Sequence, residues 1–198
     1  KTGDFRMRTK MIHRSLNTYF HIVNHSIDSR KLFYDPGDYK TYLYLFKKEL
    51  DYKVTVIAYC LMPNHFHFLL RQNAPEAISS LLERTHKRYA RYYNKKYNFK
   101  GRIFRSPLHH IETPTENYLF NACAYIHANP VQAGLVGFPE EWEYSNFREY
   151  IRMRKGKLYS EQFLMDYIVN PEKYRLKVID IAWKKSMQRA FEKDSILF

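Results

Sequence analysis

Residues 59–71 read Tyr-Cys-Leu-Met-Pro-Asn-His-Phe-His-Phe-Leu-Leu-Arg. Pro63-Asn64 stands between two apolar runs, where a tight turn wants a preset φ followed by a residue that tolerates left-handed geometry. The spacing therefore predicts a hairpin: one strand over Val54 to Met62, a nearly continuous apolar run of the kind covered on both faces, and its partner over His65 to Arg71. Side chains alternate along a strand, so His65 and His67 share one face and Phe66 and Phe68 the other. Two positions along a strand span roughly 7 Å, close enough for both imidazoles to lean onto one divalent ion. A lone His-x-His is also how a buried, hydrogen-bonded pair looks, so the rest of the chain must choose between these readings.

Working outward, Leu16 to His25 is rich in aromatic and β-branched residues and reads as a first strand. Asp38 is expected to cap a helix from Tyr39 to about Leu50, with Tyr42, Leu45, Phe46 and Leu50 at helical spacing. A long helix is predicted from about Pro75 to Tyr97. Its apolar side carries Ile78, Leu81, Leu82, Tyr89, Tyr92 and Tyr93, and a neighbouring stripe carries Arg84, Lys87, Arg88, Arg91 and Lys95. A short fourth strand is expected near His109 to Glu112, held to an edge by Pro107. Another helix should open at Thr115 and run to Ala128, with Asn129 as a C-cap or last turn before Pro130. Two more helices, split at Asn170-Pro171, should close the chain. The order strand, helix, strand, strand, helix, strand suggests an α+β ferredoxin-like sandwich, similar to an RRM, with an antiparallel sheet and additional C-terminal helices. Residues 1–150 are expected to form the principal domain and 151–198 a helical extension packed on it.

Lys and Arg number 33 against 20 acidic residues, a formal charge of +13. That excess favours a polyanionic partner, and an aromatic content of 17% supplies rings on which unpaired bases can stack. The basic stripe and an N-terminal arm with Arg6, Arg8, Lys10 and Arg14 are candidate phosphate contacts; solvated charged faces look the same in sequence. Cys60 and Cys123 sit in apolar elements and read as reduced core thiols of a cytoplasmic protein. No apolar run approaches the roughly 18 residues that would cross a bilayer, so no membrane partner is expected.

Tyr125 and Asn129 are four apart and share a helix face. Tyrosine suits transesterification of a phosphodiester, because a phosphotyrosine keeps the bond energy that hydrolysis would lose. Most tyrosines are packing residues, and spacing alone does not single out Tyr125.

Two blocks together are more specific. Met62-Pro-Asn-His-Phe-His-Phe-Leu-Leu70 and Tyr125-Ile-His-Ala-Asn-Pro-Val-Gln-Ala-Gly-Leu135 resemble the REP-associated tyrosine transposases, a branch of the single-tyrosine HUH transposases, HUH meaning His, a bulky apolar residue, His. The resemblance extends to Tyr19 to Val23, the Asp38-Tyr39 helix start and Trp142 to Tyr150. It implies a nuclease and strand-transfer enzyme for single-stranded DNA that cuts near hairpins through a 5′-phosphotyrosine, bacterial and nucleoid-associated. His65, His67 and Asn129 would ligate Mg²⁺ or Mn²⁺, Tyr125 would be the nucleophile, and a homodimer exchanging the tyrosine helix is one arrangement the resemblance allows. After Gly101 to Phe104 the chain departs from the family pattern, with Ser106-Pro107-Leu108-His109-His110 where a basic residue is common. The alternatives are a non-catalytic module that binds single strands and a metal-dependent phosphodiester hydrolase that uses water.

Overall fold

A computed structural model describes residues 16–113, 116–156 and 158–194, with the side chains of 116, 117 and 186–194 outside the described set. Arg14 and the rest of the N-terminal arm, and Thr115 at the expected opening of the fourth-strand-to-helix connection, lie outside the described residues.

The chain runs β1 (Thr18–His25), α1 (Pro36–Glu49), β2 (Val54–Met62), β3 (His65–Gln72), α2 (Ala77–Lys96), β4 (His109–Thr113), α3 (Glu116–Gln132), α4 (Phe147–Tyr150), α5 (Glu161–Tyr167) and α6 (Pro171–Asp194). The strands form one sheet in the order β2-β3-β1-β4, every neighbouring pair antiparallel. This is the α+β, ferredoxin-like arrangement expected from the element order.

Strand alternation divides the interior into two layers. Phe20, Ile22, Phe66, Phe68 and Leu70 project to one side, where they meet Tyr42 and Phe46 of α1 and Ile78, Leu81 and Tyr89 of α2. Ala58, Cys60, Met62 and Leu69 project to the other, against Leu119, Cys123 and Ile126 of α3 and Tyr174, Val178 and Ala182 of α6. Cys60 and Cys123 are buried free thiols, as their apolar surroundings predicted.

Two local details differ from the sequence expectation. Asp35, not Asp38, caps α1, and Pro36 occupies the first turn, where its missing N–H costs nothing. Asp38 is the third residue of the helix and closes a reciprocal capping box: its N–H donates to Asp35 Oδ1 at 3.2 Å, and Asp35 N–H donates to Asp38 Oδ2 at 3.4 Å. Lys96 Nζ donates to both carboxylates, at 2.6 and 2.8 Å, and so ties the start of α1 to the end of α2.

The second is in α3, which continues through Pro130 to Gln132. Proline lacks the N–H that would satisfy the carbonyl four residues back. Asn129 compensates, its Nδ2 donating to the carbonyls of Tyr125 at 2.8 Å and Ile126 at 3.4 Å.

β2 carries one irregularity, a register shift between Val56 and Ala58 that leaves Ile57 as an extra residue. The Ile57 carbonyl accepts from Asn146 Nδ2 at 2.9 Å and from the Tyr150 hydroxyl at 2.9 Å. Asn146 Oδ1 in turn accepts from the Tyr59 N–H at 2.7 Å and lies 2.9 Å from His127 Nε2. His127 Nδ1 lies 2.7 Å from the Tyr174 hydroxyl of α6. One buried imidazole therefore joins α3 to β2 and to α6.

Candidate active site

The sheet face that carries His65 and His67 forms the floor of a cleft of about 980 Å³, and α3 forms one wall. Antiparallel register brings Val23 opposite His67 and His25 opposite His65, so β1 presents His21 and His25 to the same space. β4 adds His109 and Ile111, while His110 points to the other layer, its ring 6.1 Å from Phe20. The loop before β4 contributes Arg105, whose N–H donates to the His25 carbonyl at 2.8 Å and fastens that loop to the end of β1.

The two histidines of the hairpin are close and oriented. Their ring centroids are 5.1 Å apart. His65 Nδ1 lies 2.8 Å from Asn64 Oδ1, and since a carboxamide oxygen only accepts, this nitrogen carries the proton and Nε2 keeps its lone pair. His67 Nδ1 shares a 3.0 Å hydrogen bond with His21 Nε2, a bond between two imidazoles that sets the orientation of the His67 ring. His25 stacks on His65 at 4.8 Å.

Burial keeps these rings neutral. It pushes His65 down to about 4, with the neighbouring His25 adding to the shift. His21 is pushed down to about 4 by burial and by His109, and His67 is held well below the ordinary imidazole value by burial and by His21. Neutral imidazoles are what a metal or a proton needs to find.

Tyr125 stands over this floor, half-buried, on the face of α3 that lines the cleft. Its ring centroid is 6.2 Å from that of His67 and 6.3 Å from that of His21. Lys185 of α6 donates from Nζ to the phenolic oxygen at 3.4 Å. Asn129, one turn on, also lines the cleft; its Nδ2 is spent on helix carbonyls, which leaves Oδ1 for a ligand. Among the described residues no three His, Cys, Asp or Glu side chains are disposed to hold an ion by themselves. An ion here would find two imidazole nitrogens and the Asn129 amide oxygen, with its other positions left to oxygens from water or substrate.

The structure thus brings together the four residues that sequence singled out as nucleophile and ligands. The basic stripe is elsewhere: Arg84, Lys87, Arg88, Arg91 and Lys95 are exposed on α2, which covers the opposite face of the sheet. Arg84 Nε donates to Glu49 Oε2 at 2.8 Å and Arg88 pairs with Glu49 Oε1, so two of the five already share a carboxylate. His21, His25, Arg105 and Lys185 were not legible as site residues. For His21 the signal was available, since it lies in a predicted strand and at the parity that faces the hairpin histidines. For Lys185 there was none, because nothing local in residues 151–198 reveals where α6 docks.

A family model described as IS200-like transposase matches residues 14–129, well over half of the chain. Among solved structures, a REP-associated tyrosine transposase bound to a REP hairpin is similar in fold, with a TM-score of 0.60 over 74% of this chain and 90% of that one at 16% identity. No curated protein sequence matches the chain.

Proposed function

Since the chain belongs to the IS200-like transposase family, we propose that it nicks and rejoins single-stranded DNA beside hairpins, with Tyr125 as the nucleophile. The observation that carries this reading is the position of the Tyr125 ring 6.2 Å from His67 within one cleft of a single chain. The phenolic oxygen attacks the scissile phosphorus, the Tyr125 O–P bond forms as the bond from phosphorus to the 3′-oxygen breaks, and the strand is left with a free 3′-hydroxyl and a 5′-phosphotyrosine. The phenolic proton passes to solvent, and the departing 3′-oxygen takes one up.

His65, His67 and Asn129 would hold Mg²⁺ or Mn²⁺, and that ion would polarise a non-bridging phosphate oxygen. The residues themselves do the rest. Asn64 holds His65 in the ligating tautomer, and His21 orients the His67 ring. Arg105 lies at the mouth beside His25 and can take a phosphate of the strand that enters. Lys87, Arg91 and Lys95, with Arg84 and Arg88 beside them, offer a second basic surface for the phosphates of the hairpin stem, and Arg14 is kept as a further phosphate contact on its charge alone. Tyr125 stands beside the histidines of its own chain, so this reaction needs no helix from a second copy.

The test is incubation of the protein with hairpin-flanked single strands and Mn²⁺, followed by a denaturing gel and mapping of any adduct. A covalent species on Tyr125, lost in Tyr125→Phe and in His67→Ala, supports the reading. Tight binding without cleavage would make the protein a holding module, and cleavage that survives Tyr125→Phe would make water the nucleophile.

A further inference from the structure

α6 lies wholly beyond residues 14–129, where the family match is found, yet it reaches the cleft. It is docked on α3 by Tyr174, Val178 and Ala182, by the Tyr174 hydroxyl on His127, and by Gln132 Nε2, which donates to the Ile181 carbonyl at 3.3 Å. From that docked position Lys185 extends over the Tyr125 ring, its Nζ 5.0 Å from the centroid and 3.4 Å from the phenolic oxygen. The adjacent Lys184 is well exposed and paired with Asp180 one turn back, as a surface lysine commonly is. Lys185 is half-buried and, among the described residues, has no carboxylate partner; its hydrogen bond is to Tyr125.

We propose that Lys185 is a catalytic residue, a cation delivered by the C-terminal helix to stabilise negative charge on the Tyr125 oxygen. The inference rests on the reading of Tyr125 as nucleophile. In cleavage, charge gathers on the phenolic oxygen as its proton leaves for solvent and is then passed into the forming O–P bond; Lys185 remains protonated and donates to that oxygen while it carries the charge. In strand transfer an incoming 3′-hydroxyl loses its proton to solvent and attacks the phosphotyrosine, the bond from phosphorus to the Tyr125 oxygen breaks, and the phenolate departs against the same ammonium before taking a proton back from solvent. A fixed donor aimed at the atom where charge develops is the largest single lever an active site has. The α3–α6 contact is then part of the active site, and not only a cap on the core.

The full-length chain is compared with Lys185→Ala, Lys185→Met and Lys185→Arg. Adduct formation is followed in single turnover with saturating hairpin oligonucleotide and Mn²⁺, and oligonucleotide affinity is measured separately without the ion. Lys185→Ala and Lys185→Met should lose on the order of 100-fold in adduct rate with affinity and melting temperature near those of the parent. Lys185→Arg should recover part of the rate, and added ethylamine should raise the rate of Lys185→Ala but not of the parent. The Met variant keeps the apolar stem on the ring, so a defect shared by both variants comes from the missing charge. A substrate with sulfur in place of the scissile 3′-oxygen eases departure of that group, and the defect should persist there, because Lys185 serves the tyrosine oxygen. An unchanged rate in Lys185→Ala, or a loss confined to affinity, overturns the proposal. A parent chain that forms no adduct overturns the nucleophile reading and this inference with it.

Discussion

His21 on β1 and His67 on β3 are joined ring to ring, Nε2 to Nδ1, by a 3.0 Å hydrogen bond beneath the Tyr125 side chain. The contact crosses two neighbouring strands and spends one nitrogen of His67 so that the other is presented in a single orientation. Replacing His21 with Ala should weaken Mn²⁺ binding by roughly 10- to 100-fold while leaving Tyr125 in place. Calorimetric titration of Mn²⁺ into the two proteins measures this directly; equal affinities would mean that His67 is oriented by something else.

Stability should fall as the solution is acidified from neutrality. Burial pushes His127 down to about 4, against a partly opposing hydrogen bond to the Asn146 oxygen, and pushes His86, which stacks on Phe104, down to about 3. In the unfolded chain both titrate near 6.5. Below that pH the unfolded state takes up protons that the folded state refuses, so the stabilisation is complete above about 6.5 and is lost progressively towards 4, at about 1.4 kcal/mol per pH unit for each group. His21 and His65, also pushed down to about 4, act with the same sign. Urea midpoints at pH 7.5, 6 and 5 should decline in that order, and a flat series would contradict the burial of these rings.

The hydrogen bonds around His127 make a second structural prediction. Tyr174→Phe removes the hydroxyl beside His127 Nδ1 and leaves a fully buried nitrogen unpaired, a loss of roughly 1–3 kcal/mol. Asn146→Ala should cost more, because it strands the Tyr59 N–H and His127 and takes a donor from Ile57. Urea unfolding ranks the two variants, and Asn146→Ala milder than Tyr174→Phe would show that water repairs the bulge.

On α2, Lys87, Arg91 and Lys95 should matter more to hairpin binding than Arg84, which is held by Glu49. Changing each of the three to Ala should lower affinity across sequences and reduce the salt dependence, log Kd against log salt, by about 0.7–0.9 per lost phosphate contact. Anisotropy titrations at several salt concentrations report the slope. If the triple variant keeps the parent slope, the stem is bound on another face.

Much of this architecture is written locally. Pro63-Asn64 between two apolar runs is enough for the β2–β3 hairpin, and the parity of His65 and His67 is enough to put both on one face. What failed was set by partners distant in sequence or by side chains that repair the backbone. The cap is Asp35 and not Asp38, although Pro36 after it carries a local signal, since a proline in a first turn is itself a helix start. Pro130 looked like an end because the rescue by Asn129 cannot be seen in spacing. The pairing of His21 with His67, of Glu49 with two arginines and of Lys185 with Tyr125 bridges 46, 35 to 39 and 60 residues, distances over which no periodicity speaks.

The extra residue in β2 has reach beyond its strand. Ile57 turns its carbonyl out of the ladder to Asn146, Asn146 meets His127, and His127 sits two residues from Tyr125 on the same helix. The rotational setting of that helix is thereby indexed by a single surplus peptide unit in the sheet, as a locating pin sets a shaft. Excising Ile57 would leave a tidier ladder and a phenol pointing in the wrong direction.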